Sequence, residues 1–273
     1  MKLKLPNWGS LCNPNLLMNC DYRSGIINQK GETSYAYVDK ALLTIDGWIS
    51  YGVNVGLDAD SIRIINRQTS DRTLRQYVEG KSGTYTVYVN VKSITGNVYV
   101  NFNQDISKNK KLVKGKNIFQ ITLSSSENLS SFTLLLEANA DIYIHCMKLE
   151  PGEHFTGMPP WNRASELEKC KERFLFVPVI FNGYVDENGK IFIACEDSRK
   201  LVKEPSLIID ANTQIVLYYD DGNGTYLLEN IKEGRYATKD GYICLGTLTS
   251  YKNWRISGYY KSGKIFLDTY DYD

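Results

Sequence analysis

Two adjacent prolines, Pro159 and Pro160, introduce WNRASELEKCKERF, the one stretch of this chain whose apolar spacing is helical in a sequence that otherwise reads as short strands. Proline cannot donate to a strand ladder, so the pair stops any strand that reaches it. Asn162 can cap the first turn, and Glu166 sits early, where the helix dipole favours an acid. Leu167, Cys170 and Phe174 fall at i, i+3 and i+7 and form one apolar stripe, with Lys169, Lys171 and Arg173 toward the C-terminal end. A helix of ~10 to 13 residues is too short to be stable alone in water. It is expected to pack on neighbouring β domains as a clasp between them.

The rest of the chain alternates with the period of strands. In GTYTVYVNVK, Tyr85, Val87, Val89 and Val91 alternate with Thr84, Thr86, Tyr88 and Asn90, which predicts a strand with one buried face. VYVNF follows SITGN and predicts a hairpin through Thr95-Gly96-Asn97. NIFQITL, SFTLLLEA and DIYIHCMKLE continue at intervals of ~10 to 15 residues, a spacing that suggests a sandwich. After the helix, FNGYV-DENG-KIFIA reads as a hairpin turning at Asn188-Gly189. SLIID, QIVLYYD, TYLLENI and GYICLGTL read as further strands, and NWRISGYYKSGKIFLDTY as a last hairpin. The expected architecture is all-β: a leader at 1–14, a sandwich at 15–150, a linker with the helix at 151–179, and a β tip domain at 180–273.

At 273 residues the chain suits one large or two ordinary domains, taking ~150 residues per domain. A net charge of +1 argues against a dedicated nucleic-acid binder. No apolar run approaches the ~18 to 20 residues that span a bilayer, and MKLKLPNW has no apolar signal-peptide core, so neither membrane insertion nor secretion by a signal is expected. The six cysteines are scattered without a CxxC pair, which reads as buried thiols rather than a disulfide framework. The 20 tyrosines suit half-buried strand faces and suit equally a surface presented to a ligand.

No constellation of catalytic residues emerges. His145 lies in a strand and His154 in a loop, and no G-x-S-x-G elbow accompanies either. The local acidic pairs Asp58/Asp60, Glu196/Asp197 and Asp220/Asp221 read as solvated neighbours, since glycoside hydrolysis needs carboxyls ~5 to 9.5 Å apart across a cleft. DDGNG lacks the spacing of an EF-hand loop, although an oxygen site from Asp220, Asp221 and Asn223 is conceivable. No glycine-rich loop opens a helix to hold phosphate. The expectation is a non-enzyme with no cofactor and no metal.

The run KLEPGEHFTGMPPWNRASELEKCKERF resembles a recurrent joint of bacteriophage tail-fibre and receptor-binding proteins, in which K-L-E and a glycine lead to a T-P-F-like loop and a helix with E-L-x-x-C-x-R-Y/F. The matching residues are Lys148, Leu149, Glu150, Gly152, Glu166, Leu167, Cys170, Arg173 and Phe174, with Phe155, Thr156 and Pro159 in place of an ordered T-P-F. Two earlier blocks agree, Asn15-Leu16-Leu17 with Asn28-Gln29-Lys30-Gly31, and Asp46-Gly47-Trp48, in the order such proteins keep. The resemblance implies a jelly-roll, carbohydrate-module-like sandwich, then the helix, then a β tip. It also implies a homotrimer at the distal end of a virion tail that recognises the host surface, made in the bacterial host cytoplasm. Its joint motif is expected to be architectural.

Sugar rings are held by an aromatic face and a few fixed polar groups. The tip offers Tyr218, Tyr219, Asp221 and Asn223 beside the DDGNG loop, and Trp254, Arg255, Tyr259 and Tyr260 near the last hairpin. The sandwich offers Tyr51, Arg63 and Arg67, with Trp48 expected in the core. The tip is the expected ligand site. The leading expectation is a non-enzymatic adhesin of a phage tail or tail-like bacteriocin, binding a host polysaccharide or envelope protein and other tail proteins. A purely structural tail component and a glycan depolymerase are the alternatives.

Overall fold

The computed structural model describes residues 12–36, 41–171, 174–176, 180–195, 206–209, 213–219, 225–228, 236–237, 242–247, 254–262 and 265–268. The chain divides into two compact units, the first ending at Leu167 and the second beginning at Glu168. Both are built from antiparallel strands.

In chain order the first unit contains β1 (Ser34–Tyr35), β2 (Leu42–Leu43), β3 (Ile49–Tyr51), β4 (Asn54–Leu57), β5 (Ile62–Ile65) and β6 (Arg72–Gly80). It continues with β7 (Gly83–Thr95), β8 (Val98–Phe102), β9 (Lys110–Lys111), β10 (Gly115–Leu123), β11 (Leu129–Leu136) and β12 (Asp141–Pro151). They form two six-stranded sheets, ordered β1-β4-β5-β12-β7-β10 and β2-β3-β6-β11-β8-β9. Successive long strands alternate between the sheets, the wiring of a jelly roll. The alternation in GTYTVYVNVK has the expected meaning: Tyr85, Val87, Val89 and Val91 enter the core, where they meet Phe132, Leu134 and Leu136 of β11. Burying each such side chain contributes about 1.5–3 kcal/mol. The Tyr85 ring stands edge-on to Phe102 at 5.7 Å and joins the two sheets. Trp48 is fully buried against Phe132, as expected of a core residue.

Two expected hairpins are not hairpins. β7 and β8 lie in different sheets, so Thr95-Gly96-Asn97 is an arch that carries the chain across the sandwich. Gly96 has φ +77°, and a Cβ there would stand 3.0 Å from the Cα of Ala140, on the parallel arch that carries β11 into β12. The close-packed arches explain the glycine, which the sequence pattern assigned to a tight turn. The same correction applies to the last pair of strands in the second unit.

That unit contains β13 (Phe174–Phe176), β14 (Ile180–Val185), β15 (Lys190–Ala194), β16 (Ser206–Ile209), β17 (Gln214–Tyr219) and β18 (Thr225–Leu228). β19 (Tyr236–Ala237), β20 (Tyr242–Thr247), β21 (Trp254–Ser262) and β22 (Ile265–Asp268) complete it. β21 belongs to a seven-stranded sheet, β18-β17-β21-β14-β15-β20-β19, whereas β22 sits between β13 and β16. By contrast, β14 and β15 do form the expected hairpin. Its turn is held by the Asp186 carboxylate, which accepts from the amides of Asn188 at 2.9 Å and Lys190 at 2.7 Å, while Gly189 takes φ +82°.

The helix α1 (Arg163–Lys171) has 9 residues and is capped as expected, with Asn162 Oδ1 accepting from the Ser165 amide at 3.1 Å. Phe174 does not extend its stripe, because it starts β13 and pairs with Asp268. Strand pairing with β22 therefore takes over within the stretch read as linker.

Several of the residues behind the resemblance are held in hydrogen bonds within the first unit. Lys148 and Glu150 alternate on β12 and so share a face, where both side chains are fully sealed from solvent. Lys148 Nζ donates to Glu150 at 2.9 Å, to Thr156 Oγ1 at 2.9 Å and to the Gly157 carbonyl at 2.7 Å. Glu150 in turn accepts from the Thr156 amide at 2.9 Å. Asn15 clips the chain to the same strand, donating to Met147 O and accepting from the Leu149 amide. Asp46 accepts from the backbone and side chain of Gln29 at 2.9 and 2.6 Å, joining the two earlier blocks. Glu166 of α1 accepts from the Asn19 amide at 3.0 Å.

Candidate functional site

The tip residues named from the sequence fall on two strands of the seven-stranded sheet. Tyr218 of β17 pairs with Ser257 of β21, and Arg255 lies two residues along the same face of β21. Tyr218 is 42% exposed and Arg255 is exposed as well. The other strand positions stand in register with different neighbours: Trp254 with Val185, Tyr219 with Ile256 and Tyr260 with Ile215, all three partners buried. Tyr259 pairs with Ile180 and Val216. Asp221 and Asn223, like Asp220, lie outside the described residues.

Sequence reasoning missed the aromatic centre of this face. Tyr184 of β14 pairs with Arg255, stacks on Phe192 at 5.0 Å, and meets the edge of Tyr242 at 5.5 Å. The alternation Asn182-Gly183-Tyr184 carried the signal.

The outer face of the sheet β2-β3-β6-β11-β8-β9 is chemically richer. Alternation on β6 sends Leu74 and Val78 into the core and leaves Thr73, Arg75 and Tyr77 on the other face. Thr133 of β11 is in register with Arg75 on one side and with Asn101 of β8 on the other, giving a continuous row across three strands. All three side chains are at least nine-tenths buried, at 6%, 0% and 1% exposure. Yet Arg75 Nε, Thr133 Oγ1 and Asn101 Oδ1 have no hydrogen-bond partner among the described residues. Of seven such atoms, these three lie side by side in one row.

Tyrosines flank the row. The Arg75 guanidinium lies 4.3 Å from the centre of the Tyr51 ring, a cation–π arrangement. The hydroxyls of Tyr51 and Tyr77 are 3.2 Å apart. Burial and the Tyr77 hydroxyl push the Tyr51 phenol up, so it remains a neutral donor. On the far side Tyr99 donates to Glu137 at 3.1 Å. Asn101 is oriented by its own amide, which donates to Asn109 Oδ1 at 2.8 Å. The row thus offers a guanidinium donor, a hydroxyl that can donate or accept, and a carbonyl acceptor, edged by half-buried aromatic rings.

The remaining sequence candidates are in other roles. Arg63 pairs with Asp141 at 2.6 Å on the other sheet, and Arg67 is exposed. His145 Nδ1 lies 3.0 Å from the Asp60 carbonyl. Among the described residues, no three or more His, Cys, Asp and Glu side chains converge to hold a metal ion, and no helix is long and apolar enough to cross a membrane.

No protein-family model and no curated protein matches the sequence. Solved structures that align with the chain include a family 29 carbohydrate-binding module from Piromyces equi, 10% identical, aligned over 44% of this chain and 92% of that one with a TM-score of 0.26. A family 11 carbohydrate-binding module from Clostridium thermocellum, solved with a β-1,3-1,4-mixed-linked tetrasaccharide, is 10% identical over 42% of this chain and 97% of its own, with a TM-score of 0.26. The adhesin domain of Epf from Streptococcus pyogenes is 14% identical over 90% of this chain and 91% of its own, with a TM-score of 0.31.

Proposed function

We propose that this chain is a non-enzymatic receptor-binding protein of a phage tail or tail-like particle, and that it holds a host-surface glycan on the outer face of the sandwich. The register row Arg75–Thr133–Asn101 carries the glycan reading. Buried polar groups in folded proteins are nearly always hydrogen-bonded, so three adjacent exceptions, flanked by tyrosines, support the reading of this surface as one that completes its bonding with a ligand. Sugar hydroxyls both donate and accept, which matches the mixed chemistry of the row. The tail assignment is supported by the resemblance of the Lys148–Phe174 joint and the two earlier motif blocks.

A homotrimer belongs to the same proposal. Three linked copies of a weak site gain ~10²- to 10⁴-fold in avidity on a repetitive target. Light scattering should return about three times the 31.1 kDa chain mass, and a monomer at micromolar concentration would count against the trimer.

Incubation of the purified protein with host-envelope polysaccharide tests the reading. Retention without cleavage is expected. Release of sugar products would make the chain a depolymerase, and neither retention nor release would favour a structural tail component.

A further inference from the structure

We infer that the glycan held by this face is acidic, with a carboxylate or phosphate oxygen meeting Arg75. The inference rests on the glycan-binding reading above and specifies its ligand class. Arg75 is the only one of the three row residues that carries a charge, and it is 6% exposed. No carboxylate among the described residues pairs with it, and its Nε is without a hydrogen-bond acceptor. The Tyr51 ring compensates part of the burial. A cation–π contact offsets only a small part of that cost, since a buried charge is strongly unfavourable unless it is paired and hydrogen-bonded. An anion is the group that satisfies both needs, and the planar guanidinium fits carboxylate and phosphate oxygens alike.

A second cation lies on the same face. The row beside Arg75 runs from Tyr51 through Thr73, Leu135 and Tyr99 to Lys111 of β9, which is exposed. Lys111 lies three strands across and two residues along from Arg75, about 16 Å away at ~4.8 Å per strand and ~3.3 Å per residue, so an acidic chain laid diagonally over the strands can reach both cations. Of the carboxylates near this face, Glu137 is already occupied by Asn97 at 2.7 Å and Tyr99 at 3.1 Å, Asp71 lies close enough to act on the Tyr99 hydroxyl, and the exposed Glu79 stands two residues beyond Tyr77 on the same side of β6. Neutral sugars would use Thr133 and Asn101 but would leave Arg75 without its counter-charge.

The test measures retention of the full-length protein on a panel of bacterial envelopes in three states: untreated, with carboxyl groups reduced to alcohols, and with phosphodiesters cleaved by hydrofluoric acid. Loss of retention in one treated arm supports the inference and identifies the source of the anion. Unchanged retention after both treatments overturns it while leaving the glycan-binding reading in place. Failure to bind any untreated envelope overturns the adhesin reading itself. A charge-assisted bond is worth about 1.5–3 kcal/mol, so Arg75→Gln should weaken retention roughly 10- to 100-fold. Binding by the wild type should also fall with added salt. The chemical arms use the wild-type protein, so the result stands even if the variant is unstable.

Discussion

The ammonium of Lys148 and the carboxylate of Glu150 lie 2.9 Å apart with both side chains sealed from water, two residues apart on one strand. Removing one partner of a buried pair leaves the other charge uncompensated, which typically costs about 3–5 kcal/mol. Lys148→Met should therefore destabilise the first unit by that amount in urea unfolding. The double variant Lys148→Met/Glu150→Leu should recover part of it, because no isolated charge remains.

The same pair sets a pH dependence. Burial pushes the Glu150 carboxyl up, but the hydroxyl and amide of Thr156 and the Lys148 ammonium outweigh it, so the net shift is downward. A carboxyl with a depressed folded-state value contributes its full stabilisation above the ordinary glutamate range near ~4.3, and loses it as pH falls through the lower folded-state value. Glu150→Gln cannot titrate. The gap in melting temperature between wild type and Glu150→Gln should narrow as pH is lowered from ~6 to ~3. A gap that widened in acid would contradict the downward shift.

Gly96→Ala probes the arch between β7 and β8. A side chain there meets both the left-handed backbone and the Cα of Ala140 at 3.0 Å. A loss of about 1–3 kcal/mol is expected from thermal or urea unfolding. A true hairpin turn would leave the substitution free of the Ala140 contact.

Substitutions on the two candidate faces separate them. Asn101→Ala and Thr133→Val should each weaken envelope binding several-fold, since an ordinary hydrogen bond contributes about 0.5–1.5 kcal/mol. Tyr218→Ala and Arg255→Ala, on the exposed face of the second unit, should leave it within about twofold. The reverse pattern in a pull-down titration would place recognition on the second unit, where the sequence alone had put it.

The strands, the capped helix and the buried Trp48 were legible because each rests on local periodicity or a local hydrogen bond. The two misread hairpins were not, since a glycine between strands looks the same whether the chain turns within a sheet or crosses to the facing one. Only the pairing of β11 with β8, and of β22 with β13 and β16, decides between them. The Arg75–Thr133–Asn101 row is hidden in the sequence for a related reason. Arg75, Thr133 and Asn101 are far apart in sequence, each with an unremarkable neighbourhood, and strand register alone brings them together. Tyr51 stands out in the sequence as an aromatic, whereas its partner Arg75 does not, because neither arginine of RTLRQYVEG gives any sign of being buried without an acid.

A crystal structure of the protein with an oligosaccharide released from a retained envelope tests the central claim most directly. The account predicts the sugar across β6, β11 and β8, with oxygens within hydrogen-bond reach of Arg75 Nε, Thr133 Oγ1 and Asn101 Oδ1. Sugar bound on the β17-β21-β14 face, with that row still bare, would contradict it.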